Sequence, residues 1–153
     1  MVCEAAAFWA VGGYDDAIRG WGPEDRELVD RLDRSGIKEG PVTAALVETL
    51  RHSNAERSTY YEHTIDVIAV INFHYVEINR RYFETRSQCF TDAQRHSTYH
   101  AVEQAVLASL GEPEGDAIFD IRIAESAPPW SARLRARAIL DFHKSGQRIL
   151  RDL

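Results

Sequence analysis

From Glu56 to Arg86 the chain contains neither glycine nor proline. A run of that length exceeds what a strand normally takes, so it predicts a long helix. The expectation stands against the β-branched cluster "IDVIAVINF", whose residues taken alone favour strand. The aromatics of "STYYEHTIDVIAVINFHYVEINRRYF" recur at helical spacing, which suits a core or interface stripe better than a cofactor pocket. With this rod placed, the remaining punctuation divides the chain. Residues 24–35 predict a short amphipathic helix: Pro23 suits its first turn, and Glu24, Asp25 and Glu27 load its positive end. Leu28, Val29 and Leu32 form its apolar stripe, and Gly36 stops it. At about 100° per residue Asp25 shares the arc of that stripe, while Glu24 lies to the side and Arg26 and Glu27 point away. Gly40 and Pro41 break the chain, and "VTAALVETLRHS" reads as a strand ending near Arg51 and His52. Residues 92–110 predict another helix, stopped by "GEPEGD". "AIFDIRIA" reads as a short strand, and after "APPW" a basic amphipathic helix is expected from 131 to 150. No internal repeat or low-complexity segment is present.

A chain of 153 residues fits one domain and can bury a core. A net charge of −6 disfavours a nucleic-acid or anionic-membrane partner. In that acidic whole, Arg133, Arg135 and Arg137 read as a solvated face or a partner contact. Cys3 and Cys89 lie far apart, without metal-ligand spacing or an accompanying base, so a reduced, cytoplasmic protein is expected. The longest apolar run, Val67 to Ile71, is too short to span a bilayer, and the N-terminus lacks the basic region of a signal peptide. The opening residues run at once into a dense motif, as though the chain starts late.

That motif contains "GWGPED", residues 20–25. Glycines flanking Trp21 let the backbone turn tightly and leave the indole face open. Sugars stack on such faces through their C–H surfaces. Adjacent carboxylates accept hydrogen bonds from hydroxyls, and one can serve as general base toward a sugar hydroxyl. For the bare hexapeptide, a helix start with acidic capping and a buried tryptophan is the commoner explanation. A carboxylate such as Asp25 on the core-facing arc, however, calls for a task or a partner.

The extended segment "FWAVGGYDDAIRGWGPEDRELVDRLDRSG" resembles the C-terminal catalytic segment of the β-1,4-galactosyltransferase group, with similar segments in chondroitin-polymerase-like and other GT-A glycosyltransferases. The likeness runs through Phe8, Gly12, Gly13, Tyr14, Asp15, Gly20, Trp21, Gly22, Glu24, Asp25, Leu28, Arg31, Leu32 and Gly36. It extends more weakly to "LRHSNAER" at 50–57, and in all covers residues 7–57. The resemblance implies that Asp25 is the general base of an inverting transfer from a nucleotide-sugar donor to a saccharide acceptor. It implies that Glu24 binds acceptor hydroxyls, and that Trp21, with Gly22 beside it, lines the donor and acceptor pockets. It further implies that His52 is a ligand of a divalent metal, usually manganese, which neutralises the departing diphosphate. A helix N-terminus favours an ionised Asp25 and so weakens it as a base, a demand that a metal-assisted leaving group lessens.

The departures are specific. Pro23 stands where the family has the second glycine of its Trp-Gly-Gly, and Arg26 where an acidic residue often follows. The chain contains no Asp-x-Asp, which in GT-A enzymes lies upstream on the nucleotide-binding sheet and holds metal and diphosphate. Glu114-Gly-Asp116 is the nearest approximation, downstream in an expected loop.

Other candidates weigh less. His96 and His100, one turn apart, can bind metal with Glu103, but polar surface histidines are commoner. His63, His74 and His143 read as surface or hydrogen-bonded side chains, and Cys3 as no nucleophile. The fold expected is α/β and helix-rich: the C-terminal portion of a GT-A nucleotide-diphospho-sugar transferase fold at residues 1–60, with a helical extension at 61–153 packed on it. The function expected is hexosyl transfer, the donor-binding half lying elsewhere, with turnover by the isolated chain not expected. The alternative is a saccharide-binding or assembly module that kept only the acceptor side.

Overall fold

The computed structural model describes residues 3–20, 22–38, 40, 62–111, 117–123, 126 and 128–151. Its elements are helices α1 (Ala5–Ala10), α2 (Glu24–Arg34), α3 (Ile65–Arg86) and α4 (Asp92–Gly111), strands β1 (Ile118–Arg122) and β2 (Ser131–Arg135), and helix α5 (Ala136–Arg151). The architecture is mixed and helix-rich, with a two-stranded antiparallel sheet among the described residues.

The long run without glycine or proline does become a helix, but it begins at Ile65 rather than near Glu56. Thr64 takes an extended conformation before it, while residues 56–61 lie outside the described residues. Ser87, at φ 54°, closes α3 in the left-handed conformation, its N–H donating to the Phe83 carbonyl. The β-branched cluster is helical because packing outweighs its local preference. Val70, Ile71, Tyr75, Ile78 and Tyr82 of α3 are buried against Tyr99, Val102 and Val106 of α4 and Ile139 of α5. The Tyr75 and Tyr99 rings meet edge to face at 5.3 Å.

Strand β1 falls where "AIFDIRIA" places it. Residues 131–135, expected to open the last helix, instead form β2, and the helix starts at Ala136. The reason lies in their alternation. Ala132 and Leu134 point inward opposite Ile121 and Phe119, while Arg133 stays outside and pairs with Asp120 at 3.2 Å. The opening segment contains α1, a short helix without a buried residue. The expected strand at 42–52 lies outside the described residues. No helix among them is long and apolar enough to cross a membrane.

His74, read from sequence as a surface or satisfied side chain, is buried at 7% exposure, and its Nε2 has no hydrogen-bond partner among the described residues. Burial lowers its pKa to about 4, only partly opposed by Glu77. The unfolded chain therefore takes up a proton near pH 6.5 that the folded chain refuses until about pH 4. The stability contributed by this group is complete above pH 6.5 and is lost as pH falls through that window. Between pH 7 and pH 5 the loss amounts to roughly 2 kcal/mol. Urea denaturation at the two pH values should show a smaller difference for His74→Gln than for the unsubstituted chain, and equal differences would contradict this reading.

Candidate functional site

The site is built from the turn that follows α1. Gly12 and Gly13 both take positive φ, 83° and 70°, so the chain reverses within two residues. At Gly13 a Cβ would lie 3.0 Å from the Phe8 ring, so glycine also admits that ring. The reversal sends the next two side chains in opposite directions. Tyr14 turns outward, edge-on to Phe8 at 5.6 Å, and Phe8 meets Trp9 in the same manner at 4.9 Å. Trp9 and Tyr14 remain 72% and 46% exposed, giving an open aromatic surface. Asp15 turns inward and is buried. It accepts a hydrogen bond from the Tyr75 hydroxyl at 2.7 Å and another from the Ala17 N–H at 3.0 Å. Burial and the neighbouring Asp15 carboxylate push the Tyr75 phenol far above its usual range, which keeps it a donor.

A second buried contact holds the loop farther on. Asn72, in the middle of α3, donates through Nδ2 to the Arg19 carbonyl at 3.0 Å and accepts from the Tyr99 hydroxyl at 2.8 Å. Burial raises the Tyr99 phenol to about 12. Gly22 passes directly over Asn72: a Cβ there would come within 2.7 Å of Nδ2. Glycine is therefore required at 22 by close approach to a fixed side chain.

Helix α2 then begins at Glu24, with three acidic residues in its first turn. Asp25 does not face the core as its place on the helical wheel suggested; it is exposed, and Glu27 is buried instead. The buried arc of α2 runs through Glu27, Leu28, Arg31 and Leu32. Glu27 is tolerated there because Arg31, one turn later, grips both its oxygens with hydrogen bonds of 2.7–2.9 Å. Arg31 also donates to the Val11 carbonyl at 2.5 Å, tying α2 to the glycine turn. Burial raises the Glu27 pKa, with Arg31 pulling the other way.

Asp25 is left at the surface, where the Tyr14 hydroxyl donates to its Oδ1 at 2.8 Å. That hydrogen bond, with desolvation and the carboxylate charges of Asp25 and Glu24, raises the Tyr14 pKa. Glu24 is half-buried, and its Oε2 is enclosed without a hydrogen-bond partner among the described residues. Asp25, Glu24 and Gly22 thus come together at the start of α2, with Tyr14 of the glycine turn hydrogen-bonded to Asp25. Trp21 and His52 lie outside the described residues.

Among the described residues the histidine candidates assemble no metal centre. His96 Nδ1 lies 3.0 Å from its own helix's Asp92 carbonyl, and His100 lies 3.4 Å from Glu103. Among the described residues no group of three or more His, Cys, Asp or Glu side chains could hold a metal ion. Sequence reasoning missed Asp15, Asn72, Tyr75 and the Glu27–Arg31 pair as the residues that seat the motif. Asn72 did leave a signal: it is the lone amide in the apolar run "VIAVINF", where an uncompensated polar group is costly.

Residues 1–64 match the family model described as the N-terminal domain of galactosyltransferase. That description does not carry the assignment to a C-terminal catalytic segment. Over 33 residues the chain is 58% identical to a validoxylamine A glucosyltransferase of Streptomyces hygroscopicus subsp. jinggangensis (strain 5008), covering 22% of this chain and 8% of that protein. A validoxylamine A glucosyltransferase of Streptomyces hygroscopicus subsp. limoneus matches at the same identity and length, over 7% of its own chain. The chain thus spans under a tenth of the curated relatives that it matches. No solved structure matches it significantly. Residues 1–64 carry a glycosyltransferase likeness; the segment beyond them is outside the family match.

The close approach at Gly22 is testable as a pair. Gly22→Ala should destabilise the chain by about 1–3 kcal/mol, as other overpacked substitutions do. The same substitution in an Asn72→Ala background should cost measurably less. A double-mutant cycle by urea denaturation checks this, and strict additivity would rule out Asn72 as the obstacle.

Proposed function

We propose that the chain supplies the acceptor side of a glycosyltransferase that moves a hexosyl group from a nucleotide-sugar to a saccharide with inversion. The observation that carries the reading is the exposed Asp25 carboxylate, hydrogen-bonded by the exposed Tyr14, within the segment that matches a galactosyltransferase family model. In this reading the acceptor hydroxyl oxygen attacks the anomeric carbon, and its proton passes to Asp25. The bond from that carbon to the diphosphate breaks as the new glycosidic bond forms, and the leaving group keeps the electron pair. Inversion follows from the single displacement.

Tyr14 has a positioning role. It fixes one oxygen of Asp25 and leaves the other to face the acceptor. Glu24 and Gly22, with Trp21, belong to the acceptor contacts in this proposal. The Glu24 Oε2, without a partner among the described residues, is the group that an acceptor hydroxyl would satisfy. A divalent metal, with manganese first, enters through His52, and its chemistry would be to neutralise the leaving diphosphate. Among the described residues no cluster of three or more ligands accompanies it. The GT-A fold and a separate donor-binding half remain parts of the proposal. The absence of Asp-x-Asp in the chain favours that division, and it equally supports the second reading, a saccharide-binding module without transfer.

Isothermal titration separates the two. The purified chain is titrated with UDP-glucose and UDP-galactose, with and without manganese, and then with glucose-, galactose- and N-acetylglucosamine-terminated disaccharides. Metal-dependent nucleotide binding supports the transferase reading, and saccharide binding alone supports the module. Tyr14→Phe should weaken disaccharide binding up to tenfold by freeing Asp25 to move. If no saccharide binds, the acceptor reading fails.

A further inference from the structure

Between the Gly20 turn and the helical body lies a cleft of about 230 Å³. Its apolar walls are Ile68 and Ile71 of α3 and the Tyr99 ring of α4. Its polar rim is formed by Arg19, Glu62, His63 and Glu103. The volume is below the ~300–1,000 Å³ of pockets for drug-sized ligands, and leaves room for one small ring. Apolar walls with a polar rim match the two faces of a sugar, whose C–H surface is apolar and whose hydroxyls need partners. The charges narrow the ligand further. Two carboxylates, Glu62 and Glu103, oppose a diphosphate, and Arg19 is the rim's sole guanidinium among the described residues.

Glu103 is the group best suited to read hydroxyls. Its side chain is 13% exposed, yet its contacts are long: His63 Nε2 at 3.7 Å from one oxygen and His100 Nδ1 at 3.4 Å from the other. A nearly buried carboxylate with such loose partners retains accepting capacity. The cleft is also coupled to the motif. Asn72 holds both the Tyr99 hydroxyl and the Arg19 carbonyl, so one side chain sets the wall and the rim together. Gly20 lines the cleft and precedes Asp25 by five residues, a span of at most about 18 Å.

We propose that this cleft is a second saccharide subsite, taking one uncharged sugar ring of the acceptor remote from the hydroxyl that Asp25 activates. The inference rests on the acceptor reading above. Under it, α3 and α4, which lie outside the segment matched by the family model, select for acceptor length.

Calorimetric titration of the full chain with cellobiose, lactose and N,N′-diacetylchitobiose, beside glucose, galactose and N-acetylglucosamine, tests it. At least one disaccharide should bind tenfold or more tightly than its monosaccharides. Glu103→Gln should remove that advantage and leave monosaccharide affinity unchanged. Circular dichroism checks its folding, and the exposed Glu62→Gln reads the same ratio should Glu103→Gln fail to fold. If disaccharides bind no better than monosaccharides, or both folded variants keep the ratio, the subsite is refuted while the Asp25 reading stands. If no saccharide binds, both fall.

Discussion

The hydrogen bond from Tyr75 to the buried Asp15 carboxylate is the contact on which the rest of the site depends. A segment of short helix, glycine turn and loop puts only Ala17, with Ile18 packed beside it, into the apolar core, and α1 contains no buried residue. It is held instead by polar groups inserted into the helical body, where a low dielectric strengthens each satisfied bond and penalises each lost one. Asp15 on Tyr75 anchors the first turn, and Asn72 on the Arg19 carbonyl anchors the second. Arg31, gripping Glu27 and the Val11 carbonyl, locks α2 beneath both. These three attachments leave Asp25 and Tyr14 at the surface with their geometry fixed from below.

The acids of the motif consequently do different work. Asp15 and Glu27 are buried and matched to a phenol and a guanidinium, and their removal would leave those partners unsatisfied. Asp25 is exposed, and its contact with Tyr14 is of the kind that orients rather than stabilises. Glu24 stands between, half-buried with one oxygen unpartnered among the described residues. A carboxylate that meets a substrate must be accessible, so the outward turn of Asp25 suits the general-base role better than the inward one expected from its helical arc.

Much of this was legible in the chain. The run without glycine or proline announced α3, Pro23 and Gly36 framed α2, and "GEPEGD" marked the end of α4. The misreadings have physical causes. The arc of α2 was drawn from Leu28, Val29 and Leu32, but a charged pair one turn apart, Glu27 and Arg31, can be buried together and rotates the arc away from Asp25. Residues 131–135 were assigned to a helix because basic residues at short spacing fit either period, and pairing with β1 decided for the strand. The buried hub at Asn72 needed the third dimension, since its partners Arg19 and Tyr99 are distant in sequence. The likeness of the opening segment to galactosyltransferases was visible from its residues, and the family match at 1–64 carries it at that level.

The division of labour among the acids is tested most directly by Asp15→Asn and Asp25→Asn, each measured for urea stability and for disaccharide affinity. The account predicts that Asp15→Asn loses about 2–3 kcal/mol of stability, because a buried charge-assisted hydrogen bond is weakened. It predicts that Asp25→Asn keeps its stability within about 0.5 kcal/mol, as exposed substitutions do, while disaccharide affinity falls at least tenfold. Equal stability losses in the two variants, or an Asp25→Asn chain that binds disaccharide as well as the parent, would contradict it.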